Sequence, residues 1–242
     1  MGLDAAGVRF LCCLRQQGMD FARTATLGRQ AMNASPGSIL ESLRAYGFDA
    51  TEEKALELVA GGAGFAEPFL GFLGARAVDS FDASLFEGAT HIHDFNYPLG
   101  DPGLQAKYSV VLDGGTLEHV FNYPQAIKNC MEMTALGGDF VGITPTNGLS
   151  GHGFYQISPE LLYQALSDAN GFSILLMMSC QPSAMDWSYI PKPAGVPNGR
   201  VLVPSLGETY IFFVARRTKI VPIFGTWPQQ SDYAAGWKRS QD

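Results

Sequence analysis

Acidic and glycine residues recur in this chain where short apolar runs end. Gly28-Arg29-Gln30 follows the run 22–27, Asp82 follows 77–81, Asp94 follows 90–93 and Asp113-Gly114-Gly115 follows 108–112. In open α/β sheets, ligands bind outside the carboxyl ends of the strands, at the switch in strand order. A carboxylate in the place of Asp82 is suited to accept from both hydroxyls of a ribose diol. Asp94, one run later, is placed to accept from an exocyclic amine such as that of adenine. Arg29 carries a planar fork that matches a carboxylate. A second polar set, Asn147, Ser150, His152, Tyr155 and Gln156, crowds one loop after the apolar run 139–144. The Asn147 carbonyl can accept from an amine and leave its lone pair aimed at carbon. Phe154 and Tyr155 can offer ring faces to a cation. His91 and His93 share one face of a strand and Asp94 lies on the other. Two imidazoles without a placed carboxylate are a poor ligand set, so packing and capping are their expected roles and no metal site is expected.

These groups need elements to hold them. An amphipathic helix is expected over the first residues, with Val8, Leu11, Cys12 and Leu14 on its apolar side and Gly18 at its end. Ser35-Pro36-Gly37 and Ser158-Pro159-Glu160 are helix starts with proline in the first turn, and Thr51-Glu52-Glu53 is a cap followed by acidic residues. A helix is expected from Pro124 to Leu136, stopped by Gly137-Gly138. Strand-like runs alternate with these helices, which implies a mostly parallel sheet covered on both faces. The runs 172–178 and 209–215 are joined by a loop holding Pro182, Pro191, Pro193, Pro197 and Pro204, with no helix between them. They are expected to form an antiparallel edge pair. Trp187 and Tyr189 in that loop are candidates for a substrate mouth.

The totals exclude several classes. Hydrophobic residues make up 46% and charged residues 16%, so the chain can bury a core. A net charge of −7 with no basic run argues against nucleic acid or an anionic membrane as partner. Cys12, Cys13, Cys130 and Cys180 show no metal spacing and read as buried thiols. No export signal and no apolar run long enough to span a bilayer is seen, so a cytoplasmic protein is expected.

Ser80-Phe81-Asp82-Ala83-Ser84, Leu117-Glu118-His119-Val120 and Leu136-Gly137-Gly138-Asp139-Phe140 together resemble the class I S-adenosylmethionine-dependent methyltransferases. The resemblance spans roughly residues 20–216. It implies a Rossmann-like α/β fold with a seven-stranded, mostly parallel sheet, an antiparallel last strand and helices on both faces. One domain is expected over 1–242: an N-terminal helix (1–19), a core (20–216) and a tail (217–242). The segment Gly151-His152-Gly153-Phe154-Tyr155-Gln156-Ile157-Ser158-Pro159-Glu160 resembles a bacterial subset of that superfamily.

The implied cofactor is S-adenosyl-L-methionine. It would be held by Gly28, Arg29, Gln30, Asp82, Ala83, Asp94, Phe95, Asn96, Asp113, Gly114, Glu118 and His119. Asn147, Ser150, His152 and Tyr155 would serve the reacting end. One departure from the family is the loop after the first strand, where a single glycine and Arg29 stand in place of several glycines. Arg29 would then grip the cofactor's carboxylate. The expected reaction is alkyl transfer, by default of methyl, to a small molecule. Two alternatives stay open. One is cyclisation of the cofactor to azetidine-2-carboxylate and methylthioadenosine, as in methyltransferase-like enzymes that perform it; the other is a cofactor-binding module without catalysis.

Overall fold

The computed structural model describes residues 2–196, 199–205 and 207–239; Pro197 of the proline-rich loop and the last three residues of the expected tail lie outside these. An eight-stranded sheet runs in the order β5-β4-β2-β6-β7-β10-β8-β9. Its strands are β2 (Arg23–Leu27), β4 (Ala77–Asp82), β5 (His91–Ile92), β6 (Tyr108–Gly114), β7 (Thr134–Asn147), β8 (Phe172–Gln181), β9 (Asp186–Tyr189) and β10 (Thr209–Arg217). The first five in this spatial order are parallel. β10 runs antiparallel to both β7 and β8. A separate pair, β1 (Gly2–Leu3) with β3 (Ala31–Met32), is parallel and was not expected. The α/β class and the antiparallel last strand agree with the sequence reading.

Period-2 alternation divides the core in two. Val110, Leu112, Val141, Phe212 and Val214 face α1 (Ala5–Gln16), α2 (Pro36–Ala45), α3 (Glu52–Ala60) and α4 (Glu67–Phe72). Their neighbours Val111, Phe140, Ile211, Phe213 and Ala215 face α5 (Tyr123–Met133) and α6 (Pro159–Ala165). Strands buried on both faces read as continuous apolar runs, as these do. The caps are where the residue types demand them. Ser35 accepts from Ser38 N, Thr51 from Lys54 N and Ser158 from Leu161 N.

Three expectations need correction. The last two expected strands are antiparallel partners, but β10 is interior, wedged between β7 and β8. The edge belongs to β9, an eighth strand built from the expected loop. Trp187 on β9 does not line a mouth: it packs on Phe212 at 4.6 Å and Phe10 at 6.3 Å between centroids. α5 ends at Met133, and Gly137-Gly138 lie inside β7, where Gly137 takes φ +78° at an irregularity in the pairing with β6. The tail carries a further helix, α7 (Ser231–Arg239), whose Ser231 hydroxyl donates to Glu160 at 2.7 Å.

Asp139 and Arg216 sit opposite each other across β7 and β10 and form a bidentate pair at 2.8 and 2.9 Å. This charged rung fixes the register of the one antiparallel insertion. Asp79 makes a comparable tie on the other side, accepting from Lys107 Nζ at 2.8 Å and the Tyr108 hydroxyl at 2.7 Å. Burial works to raise the Asp79 pKa, but those two hydrogen bonds and the charges of Lys107 and His91 outweigh it and hold the carboxyl below its ordinary value. A depressed folded pKa contributes stability that is complete above the unfolded value, about 3.9, and is lost as pH falls through the folded one. Asp79→Asn is therefore expected to lower the urea midpoint at neutral pH and to flatten its decline below about pH 4. Parallel midpoint-against-pH curves for the two proteins would remove this role.

Candidate functional site

The site forms where the chain turns back at the carboxyl ends of β2 and β6. Gly28 leaves β2 with φ +67°, and its N–H donates to Phe81 O at 2.7 Å. The turn after β6 is anchored to the same strand end, because the Thr116 hydroxyl donates to Leu27 O at 2.6 Å. Asp113 caps this turn by accepting from Thr116 N at 2.8 Å and Leu117 N at 3.3 Å. Gly115 bends it with φ +86°, a conformation that a side chain would strain.

Two further segments close over the turn. The loop after β7 is hydrogen-bonded down onto it, with Phe154 N donating to Glu118 O at 2.9 Å. Gly153 permits this approach, since a Cβ there would lie 2.9 Å from Glu118 O. From the other side, the β1–β3 pair brings Gly2, Asp4 and Asn33 over the opening. Between them lies a cleft of about 230 Å³, floored by Gly114, Gly115 and Glu118, with His152, Ile143, Tyr210 and Phe212 along its walls.

Glu118 is the unusual group. It is fully buried, and among the described residues neither carboxyl oxygen has a hydrogen-bond partner. Among the described residues, His152 Nε2 lies 3.5 Å away, longer than a well-formed hydrogen bond. Burial pushes the Glu118 carboxyl above the usual range, and the nearby Asp113 carboxyl pushes it further. Burial also raises Asp113, against two backbone N–H groups that favour its charged form. Burial lowers the His119 pKa, with His152 acting in the same direction. The His119 and His152 rings lie 5.1 Å apart. Such a group of shifted acids and bases in a cleft is what sites of chemistry share.

The expected residues divide into three groups. Gly114, Glu118 and His152 line the cleft, and His119 stands beside it. Gln30 is buried with Oε1 unpartnered and lies against Gly114, where a Cβ would collide with it. Gly28 is at the neighbouring strand end. Asp82 and Ala83 end β4, one strand over, and Asp82 Oδ1 accepts from Ser84 N at 2.9 Å.

The second group is engaged elsewhere. Arg29 is not a free fork. Its Nε meets Glu67 at 2.6 Å, Nη1 donates to Glu87 O at 2.9 Å, and the guanidinium lies 4.0 Å above the Phe65 ring. These contacts tie the loop after β2 to the start of α4 and to the loop at Glu87. Asp113 is wholly buried; its Oδ1 caps the turn, and its Oδ2 has no hydrogen-bond partner among the described residues. The amide nitrogen of Asn147 donates to Val203 O at 3.0 Å, and the Tyr155 hydroxyl donates to Phe121 O at 2.7 Å. Ser150 is an exposed loop residue.

The third group lies at the sheet margin. Asp94 is exposed and accepts from Asn96 N at 2.9 Å, Asn96 accepts from Asn122 N at 2.8 Å, and Phe95 is buried in the core against Phe81 and His93. His91 stacks on Phe81 at 4.6 Å while His93 meets Phe95 at 5.0 Å, so these two histidines pack against different rings. Sequence reading missed Gly2, Asp4, Asn33 and Tyr210. The only local signal was Asp4, which caps α1 by accepting from Gly7 N.

No family model matches the chain, and no curated protein matches it. Among solved structures it is similar to the N-methyltransferase NodS of Bradyrhizobium japonicum WM9. Identity is 10% over 88% of this chain and 94% of that one, with a TM-score of 0.46. It is also similar to 1,6-didemethyltoxoflavin-N1-methyltransferase of Burkholderia thailandensis, solved with 1,6-didemethyltoxoflavin and S-adenosylhomocysteine. There identity is 14% over 88% of this chain and 78% of that one, with a TM-score of 0.44. At these values no residue role is carried across. Among the described residues, no helix is long and apolar enough to cross a membrane.

Proposed function

We propose that this chain binds S-adenosyl-L-methionine across the carboxyl ends of β4, β2 and β6 and transfers an alkyl group, by default methyl, to a small acceptor in the cleft. The observation that carries this reading is the strand order. From β2 the chain winds outwards to β4 and β5, then returns to β6 and β7 on the other side, which leaves a crevice at the switch point. The residues present fit such a guest. Gly114 and Gly115 floor the cleft, and Gln30 Oε1 and Glu118 offer buried polar atoms without hydrogen-bond partners among the described residues. Asp82 ends the adjacent strand, where a ribose diol is best accepted. The cofactor would supply an electrophilic carbon on sulfur. The protein's share is then alignment of the acceptor and exclusion of water. His152 and Glu118 are the groups placed to orient an acceptor or hold its proton, and the loop 147–157 shapes the wall behind them.

Incubation with S-adenosylmethionine alone, followed by mass spectrometry, separates the possible chemistries. S-adenosylhomocysteine that appears only with added acceptor supports transfer. Methylthioadenosine formed without acceptor points to intramolecular cyclisation. No binding by calorimetry would remove the reading altogether. Within it, Asp82→Ala is expected to weaken cofactor affinity by more than tenfold, because an unpaired diol costs ~1–3 kcal/mol. Asp82→Asn keeps an acceptor for the Ser84 turn and so separates loop collapse from the lost diol contact. Unchanged affinity in both variants would move the ribose elsewhere.

A further inference from the structure

We propose that Glu118, His119 and His152 form a binding site for a borderline divalent metal ion such as zinc. One donor atom from each of the three lies within 4.8 Å of the others. Nitrogen and carboxylate oxygen ligands sit about 2.0–2.2 Å from a tetrahedral zinc, which places any two of them about 3.3–3.6 Å apart. Closing the set takes a movement of about one ångström. Both imidazoles are exposed enough to turn that far, since His152 keeps 38% of its side-chain surface.

The second observation concerns Glu118 itself. Its residue exposure is 0%, and among the described residues neither of its oxygens has a hydrogen-bond partner. Burying a carboxylate that makes no hydrogen bond is costly, and a cation between it and two imidazoles satisfies it. The fold goes to some length to assemble the group. His152 is delivered by a loop that bonds to the main-chain carbonyl of Glu118, and Gly153 lets that loop lie 3.2 Å, measured from an added Cβ, from His119 Nδ1.

The donor set selects the ion. Two nitrogens and one carboxylate suit zinc, iron(II), cobalt(II), nickel(II) or manganese(II), whereas magnesium and calcium prefer oxygen alone. Three protein ligands beside a cleft leave coordination positions for water or an oxygen-bearing guest, the arrangement of an open site and not a closed structural one. Sequence spacing gave no hint of it, because 33 residues separate His119 from His152 and the one adjacent pair, Glu118-His119, is commonplace. The site does not depend on the cofactor reading, and its test uses no cofactor.

Chelator-treated protein titrated with cobalt(II) alone reports the site directly, through visible d–d absorption and calorimetry. One equivalent per chain is expected. His152→Ala and Glu118→Gln should each weaken binding by more than the ~10²-fold typical of losing an outer partner of a ligand. His91→Ala, remote from the cluster, should leave it unchanged. His152→Ala removes an exposed side chain and tests the site without endangering the fold. Absence of stoichiometric cobalt binding would overturn the proposal. So would full affinity in the His119→Ala/His152→Ala double variant, or in Glu118→Gln.

Discussion

Glu118→Met is expected to make this protein more stable and less active at once. The carboxyl group is fully buried and has no hydrogen-bond partner among the described residues, so the folded state carries much of its desolvation. An unsatisfied buried polar group costs about 1–3 kcal/mol, and methionine fills a similar space with flexible apolar atoms. The main-chain carbonyl that anchors Phe154 and Tyr155 is untouched by the change. Urea unfolding should therefore shift to higher midpoint by an amount in that range. Turnover should fall by roughly 10²-fold if Glu118 positions or polarises the reacting groups, as orientation at an active centre is typically worth. A gain in stability paired with loss of function is how a site residue differs from a core residue. A variant that is destabilised, with activity intact, would show Glu118 to be structural.

The second large effect concerns the middle of the sheet. Gly142 on β7 lies opposite Phe213 on β10, and a Cβ at Gly142 would overlap the Phe213 ring. Phe213 is itself fully enclosed, packed edge-on against Phe140 with centroids 5.1 Å apart. The ring has no direction in which to retreat. Gly142→Val should cost about 3 kcal/mol or more, at the upper end of what overpacking usually costs, and yield little folded protein. The double variant Gly142→Val/Phe213→Ala returns volume at the same rung and should recover part of the loss, a coupling expected of residues in contact. Soluble yield and denaturant midpoints report both. Wild-type stability in the single variant would mean that β7 and β10 are not in this register.

Local chemistry in the sequence determined the pieces. Ser35, Thr51 and Ser158 start helices because their side chains satisfy free N–H groups, and proline after two of them suits the first turn. The apolar runs at 108–112, 172–178 and 209–215 become strands buried on both faces because nothing in them interrupts the apolar pattern. Asp82 and Gly114 fall at strand ends for the same local reason.

Only the tertiary structure decided which ends meet. Asp113 and Asp82 look alike in sequence, yet Asp113 turns inwards because the loop after β6 needs an acceptor for Thr116 N and Leu117 N. Arg29 looked available until folding brought Glu67 and the carbonyl of Glu87 to it, 38 and 58 residues away. β10 looked like an edge, but the Asp139–Arg216 rung and the niche that Gly142 leaves for Phe213 draw it inside the sheet. The β1–β3 cover and the meeting of His152 with Glu118 likewise depend on pairings between distant segments. Periodicity and capping are encoded within a few residues of chain, whereas strand order and loop docking are set by complementary surfaces that exist only once the segments have come together.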